Sequence, residues 1–242
     1  PHYLVDELEP DDEFHVVRFQ QMAKEAMKKI YAAGHIPIVV GGTGFYIQAL
    51  LYDIDFTDND NDTSLRAELE SFAKEHGAEA LHEKLREVDQ KSAETIHANN
   101  IKRVIRALEF YQKTGMKISE HNETERQKES PYQFVYFVLN DDRENLYRRI
   151  DLRVDQMIVE GLVAEVQALK ARGYDRSMVS MQGLGYKEIL DYLDGACTLE
   201  DAIYKIKRDT RHFAKRQITW FKREKHVTWI NKKDYNYDED KI

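Results

Sequence analysis

Ile36-Pro37-Ile38-Val39-Val40-Gly41-Gly42-Thr43-Gly44-Phe45-Tyr46 is the stretch that decides the fold. Ile36 to Val40 is a short, nearly all-apolar run rich in β-branched residues, and such a run between helices reads as a strand buried on both faces of a parallel sheet. Upstream, Val16, Phe19, Ala23, Met27 and Ile30 recur at helical spacing and Gly34 supplies a stop, which predicts a helix over about 13–33. Downstream, Phe45 to Leu51 predicts a second helix. Helix, apolar strand, Gly-rich turn and helix in succession predict a doubly wound α/β sheet.

Further along, Asp58-Asn59-Asp60-Asn61-Asp62 is a loop signal. From Thr63 to Lys117 only helical periodicity follows: Leu65, Leu69 and Phe72, then Leu81 and Leu85, then Ile101, Val104, Ile105 and Leu108. The expected division is therefore an α/β core over 1–57 and 126–242 with an all-helical insertion over 58–125. Thr114-Gly115 ends the helical run, a polar stretch spans His121 to Ser130, and Tyr132 to Leu139 predicts a return to the sheet. Asp141 with Glu144 predicts a capping box for a helix through Val159, and Thr198 with Asp201 predicts another for a helix to about Phe221. Val227 to Ile230 predicts a last short strand.

The 242 residues are 42% hydrophobic and 33% charged, enough to build sizeable cores, and no run approaches the roughly 18 apolar residues of a membrane helix. Pro1 to Asp6 has neither the basic nor the apolar region of a signal peptide, and the single cysteine, Cys197, allows no internal disulfide; a cytoplasmic protein is expected. The net charge of −8 argues against general nucleic-acid binding, but the charge is segregated. Asp58 to His97 holds eleven acids against five bases, whereas Lys205 to Lys225 holds nine bases against two acids. Asn99 to Lys117 adds Lys102, Arg103, Arg106, Lys113 and Lys117 against one acid, Glu109. Two basic elements in an acidic chain point to a localised polyanion site.

Gly41, Gly42 and Gly44 would let a substrate approach the backbone where strands end, and the Thr43 hydroxyl can make one directed hydrogen bond. A plain strand-to-helix turn explains the same residues, and the motif is neither G-x-x-x-x-G-K-[ST] nor G-x-G-x-x-G. Arg103 and Arg106 lie three apart on a helix whose other face is apolar, a geometry that suits adjacent phosphates or a solvated surface. Arg149 and Arg153 alternate with Asp151 and Asp155, which reads either as self-contained ion pairing or as a pre-oriented pyrophosphate clamp. Gln182-Gly183-Leu184-Gly185-Tyr186-Lys187 precedes a helix and sets a ring beside a cation. Between Ile206 and Trp220, Ile206, Phe213, Gln217 and Trp220 form one stripe, expected in the core, and Arg208, Arg211 and Lys215 another. The histidines show no H-E-x-x-H spacing and no serine sits in G-x-S-x-G.

These pieces occur in one order: Pro1-His2-Tyr3-Leu4, Pro37-Ile38-Val39-Val40 leading into Gly41 to Tyr46, Asn100-x-x-Arg103-x-x-Arg106-Ala107-Leu108-Glu109, Arg149 to Met157, Gly185-Tyr186-Lys187-Glu188, and Thr210 to Phe221. Over nearly its whole length the chain resembles the tRNA dimethylallyltransferases of the IPP transferase family. That resemblance implies a P-loop NTPase-like parallel sheet flanked by helices, with an all-helical insertion domain. It implies transfer of a dimethylallyl group from dimethylallyl diphosphate to N6 of the adenosine 3′-adjacent to the anticodon, in tRNAs reading U-initial codons. By the same resemblance Thr43 would hydrogen-bond the adenine amine, Arg153 would stabilise the departing pyrophosphate, and Gly41, Gly42 and Gly44 would line the substrate pocket. Arg66, Lys102, Arg103, Val104, Ile105, Arg106, Gln182, Gly183, Leu184, Gly185, Tyr186 and Lys187 match positions that contact tRNA, and the insertion would clamp the anticodon stem-loop.

One departure matters. Family members carry a strand, an ATP-type G-x-x-x-x-G-K-[ST] phosphate loop and a D-S-x-Q segment upstream of the Pro-His motif, and none of these stands in the 242 residues. The resemblance therefore implies that the donor diphosphate, Mg2+ with its ligands and the general-base aspartate belong to such a segment, with no metal ligand in this chain. It implies too that this chain alone is inactive without it. A monomer with no membrane contact is expected. Three other readings fit parts of the pattern: an enzyme that prenylates free adenine nucleotides, a P-loop kinase of different chemistry, and a non-catalytic RNA-binding module.

Overall fold

The computed structural model describes residues 1–56 and 64–241. Along the chain run α1 (Val16–Ala32), α2 (Gly44–Leu51), α3 (Ser64–Val88), α4 (Gln90–Thr95), α5 (Ile101–Thr114), α6 (Ile118–Gln127), β1 (Tyr136–Asn140), α7 (Arg143–Glu160), α8 (Leu162–Ala171), α9 (Tyr186–Leu193), α10 (Leu199–Phe221) and β2 (Val227–Asn231). They form two compact units, Leu51–Pro131 and the remainder, Pro1–Leu50 with Tyr132–Ile242. The expected acidic loop Asp58 to Asp62, and with it the domain boundary at 57/58, lies outside the described residues.

The unit Leu51–Pro131 is helical throughout. Leu69, Ala73, Leu81 and Leu85 of α3 pack on Val104, Ile105, Ala107 and Leu108 of α5, with Ala93 of α4 closing the cluster. Leu81, Leu85 and Val104 are fully buried, each such side chain contributing roughly 1.5–3 kcal/mol. Gly77, at φ +87°, kinks α3 in a conformation that side chains rarely adopt. Asp89 fastens two helix starts at once: its buried carboxylate accepts from Ser92 N (3.0 Å) and Oγ (2.6 Å) and from Ser119 N (3.0 Å) and Oγ (2.7 Å). The sequence pattern showed only a polar stretch where α6 lies, because α6 is held by polar anchors such as Ser119 and the buried Glu125, which accepts from Asp55 N at 2.9 Å. Helix α6 continues the insertion past residue 125.

In the other unit β1 and β2 pair in parallel, Tyr136 opposite Val227 through Asn140 opposite Asn231. The intervening helices build the core: Val154 of α7, Leu162 and Val166 of α8, Ile189 and Leu190 of α9, and Ala202 and Ile206 of α10. Thr198 caps α10 with the expected reciprocal box, accepting from Asp201 N at 3.1 Å while Asp201 accepts from Thr198 N. An α/β class with a parallel sheet, flanking helices and a helical insertion is thus what the chain forms.

Several expectations are corrected. Ile36 to Val40 is not a strand: Ile36, Ile38 and Val40 are 86%, 84% and 89% exposed, because β1 and β2, the strands among the described residues, pair with each other. A parallel strand without a neighbour has no ladder to hold it. The strand expected over Tyr132 to Leu139 is confined to Tyr136–Asn140. Helix α7 starts after Asp142, without a side-chain cap, since Asp141 turns its carboxylate to Asp142 N and Tyr237 instead. The buried stripe of α10 is Ala202, Ile206, Ala214 and Phe221, and Phe213 is 38% exposed.

Candidate functional site

The turn 41–43 is built against α10. Gln217 Nε2 donates to the Gly42 carbonyl at 2.8 Å, and a Cβ on Gly42 would stand 2.1 Å from that nitrogen. A Cβ on Gly44 would meet the Trp220 ring at 2.2 Å. Gly42 and Gly44 are therefore needed for packing between turn and helix, whereas Gly41 is exposed and opens on space. This close approach fixes the start of α2. The Thr43 carbonyl accepts from Tyr46 N (2.9 Å) and Ile47 N (3.2 Å), and the exposed Thr43 hydroxyl makes no hydrogen bond among the described residues. An oriented hydroxyl at a helix start is available to a ligand's N–H.

Along α7 the alternating charges do not pair with one another. Asp151 accepts from Arg211 at 2.6 Å and Asp155 pairs with Lys207 at 2.6 Å, so the acids of α7 tie it to the bases of α10. Arg149 approaches Asp141 at 3.9 Å. Arg153 extends into solvent, 61% exposed, with Glu160 of the same helix 3.3 Å from its Nη1. An exposed pair of this kind holds its guanidinium weakly, which leaves it able to exchange Glu160 for a stronger anion.

Gln182 to Lys187 leads into α9. Gln182 is exposed and donates to the Arg176 carbonyl at 3.1 Å. Gly185, at φ +100°, is the cap of α9, its N–H bound by Glu188 at 2.9 Å. Tyr186 is partly buried on the core and donates its hydroxyl to Glu165. Burial first, and that hydrogen bond second, push its phenol up to about 12. Lys187 lies 3.4 Å from the buried Glu188. The ring and the cation are thus occupied from within the protein.

In the insertion, Arg66 pairs with Glu109, and the charges of both act on Arg106. Arg66 Nε and Nη2 donate to the two Glu109 oxygens at 3.1 and 2.8 Å, a two-point fork. The Glu109 side chain is only 7% exposed and that of Arg66 is 48% exposed. The hydrogen bond to Glu109 raises the Arg66 guanidinium above its ordinary value; burial pulls that of Arg106 below it, Glu109 opposing and Arg66 adding to the effect. Lys102 and Arg103 are exposed on the same helix. Val104 and Ile105, at 0% and 3% exposure, are core residues of α5, their side chains packed inward. The sequence pattern counted Glu109 merely as the one acid of a basic helix. Its position three residues after Arg106 and next to the apolar face was the available signal.

A further concavity of about 640 Å3 lies at the carboxyl ends of β1 and β2, lined by Asn140, Asp141, Arg143, Lys215 and Trp229 among others. The described residues gather no group of three or more His, Cys, Asp or Glu side chains that could hold a metal ion. No helix among them is long and apolar enough to cross a membrane.

Known proteins match this chain over most of its length. The IPP transferase family matches residues 1–224. A tRNA dimethylallyltransferase of Lachnoclostridium phytofermentans is 64% identical over 237 residues, which are 98% of this chain and 76% of that relative. The crystal structure of the full-length tRNA isopentenylpyrophosphate transferase of Bacillus halodurans is similar with a TM-score of 0.66 and 44% identity, covering 96% of this chain and 71% of that one. A eukaryotic dimethylallyltransferase acting on tRNA is similar with a TM-score of 0.77 and 28% identity, covering 96% and 60%.

Proposed function

The chain belongs to the IPP transferase family, and from that premise we propose that it is a tRNA dimethylallyltransferase whose donor is dimethylallyl diphosphate. The acceptor is N6 of the adenosine 3′-adjacent to the anticodon, in tRNAs that read U-initial codons. An N6–carbon bond forms, the carbon–oxygen bond to diphosphate breaks, pyrophosphate leaves and the amine loses a proton. An exocyclic amine is a weak nucleophile and its base is normally stacked, so extraction, orientation and charge neutralisation are what a protein must supply. Thr43 is suited to orientation: its unengaged hydroxyl can accept from the amine's N–H. Arg153 is suited to charge neutralisation, because its exposed guanidinium can leave Glu160 for the departing pyrophosphate. Lys102, Arg103, Arg66 and Arg106 form the basic face for the stem-loop.

The observation that carries this reading is the family match over residues 1–224 together with the basic helical insertion. A free nucleotide needs no such face. The test offers the intact enzyme AMP and an anticodon stem-loop RNA as competing acceptors with labelled dimethylallyl diphosphate. Label is expected in the RNA. Label confined to AMP would turn the assignment to a nucleotide prenyltransferase, and RNA binding without transfer would make the protein a binding module. The reading carries a monomer in the cytoplasm, and light scattering at twice the chain mass would count against the monomer.

A further inference from the structure

The fork between Arg66 and Glu109 uses one edge of a guanidinium that has two. Glu109 occupies the Nε/Nη2 edge, at 3.1 and 2.8 Å. The opposite edge, Nη1 with the second Nη2 hydrogen, can take another oxyanion in the same bidentate geometry. Arg66 is half exposed while Glu109 is almost wholly buried, so the carboxylate holds the guanidinium from the protein side and leaves its outer side toward solvent. The charge of Arg106 acts on the same pair. A flexible arginine would give up rotamer freedom on binding, and the fork removes much of that cost beforehand.

We infer that Glu109 is a positioning residue for RNA capture: by holding the inner edge of Arg66 it presents the outer edge to a phosphodiester of the RNA. This rests on the tRNA reading above. A merely structural carboxylate makes the opposite prediction about RNA. Removing a negative charge from a basic RNA-facing surface should then tighten binding or leave it unchanged.

The experiment measures binding of an anticodon stem-loop RNA to the full chain across a salt series, with the thermal transition recorded for each variant. Glu109→Gln keeps the size of the side chain and raises the net positive charge by one. Binding is expected to weaken about 10-fold, the loss of a charged hydrogen-bonding arrangement, and the slope of log affinity against log salt to fall by about 1. Arg66→Ala should weaken binding in the native background and add nothing in the Glu109→Gln background. Binding by Glu109→Gln as tight as or tighter than that of the unchanged protein would overturn the inference, as would an equal cost of Arg66→Ala in both backgrounds. Should Glu109→Gln fail to fold, the double variant Arg66→Met with Glu109→Met replaces the buried pair by apolar side chains. It is expected to fold and to bind as weakly as Arg66→Ala, and native affinity in it would overturn the inference. If the unchanged protein does not retain the RNA, the tRNA reading itself fails, a result distinct from tight binding by Glu109→Gln.

Discussion

The insertion Leu51–Pro131 closes a core of its own, whereas the segment leading into the Gly41 turn leaves Ile36, Ile38 and Val40 in solvent. Both stretches are apolar enough to be buried. The difference lies in where the backbone hydrogen bonds go: a helix satisfies them within itself and needs only a face to pack against, while a parallel strand borrows them from a neighbour. The turn after that segment is nevertheless well placed, because its contacts are side chains of α10, Gln217 and Trp220, rather than a ladder.

Four substitutions break or sharpen this contrast. Leu85→Ala, in the insertion core, is expected to cost about 2–5 kcal/mol, seen in denaturant unfolding followed by a probe in that unit; a loss below 1 kcal/mol would mean the core is looser than its packing implies. At the turn the same kind of truncation should spare the fold and strike the chemistry. Thr43→Ala in the intact enzyme is expected to lower kcat roughly 10- to 1000-fold with tRNA binding kept, and unchanged turnover would remove Thr43 from the mechanism. Asp89→Asn should cost about 1–3 kcal/mol at neutral pH, since it breaks the bridge between Ser92 and Ser119.

The pH dependence of that third effect has a definite sign. Burial pushes the Asp89 carboxyl up, but the hydrogen bonds from Ser92 and Ser119 together outweigh it and hold the group below its ordinary value. A depressed carboxylate contributes stability that is present above its unfolded pKa of about 3.9 and lost as pH falls through the lower folded value. The gap between Asp89→Asn and the unchanged chain should therefore narrow in acid titrations of stability; a constant gap would contradict the shift. The smallest effect is expected at Ile38. Its side chain is 84% exposed, so Ile38→Lys in the 242-residue chain should change stability by less than about 0.5 kcal/mol. A loss of several kcal/mol would show that the segment pairs as a strand in solution.

What was legible in the sequence follows the same division. The apolar spacing of Leu65, Leu69, Leu81, Leu85, Val104 and Leu108 announced α3 and α5, and Thr198 with Asp201 announced the start of α10, because each signal is completed within one or two turns. Helix α6 was not legible, since its anchors are Asp89 and Asp55, about 30 and 70 residues away in sequence from Ser119 and Glu125. Ile36 to Val40 misled for the reason already given, that strand pairing is non-local. At the candidate site, the turn, the basic face of α5 and the arginines of α7 were all visible as motifs. The partners that hold them were not: Gln217 for Gly42, Glu160 for Arg153 and Glu109 for Arg66 lie 175, 7 and 43 residues away. Residue type and spacing show what a side chain can do, and only packing shows which edge of it remains available.

The central claim is tested most directly by locating the product. The intact enzyme would be incubated with dimethylallyl diphosphate and an anticodon stem-loop RNA, the RNA digested to nucleosides, and the modified position read by mass spectrometry. The expected result is one dimethylallyl group on N6 of the adenosine 3′-adjacent to the anticodon, and none when guanosine replaces that adenosine. Modification at other adenosines, or the same yield from the guanosine-substituted RNA, would contradict it.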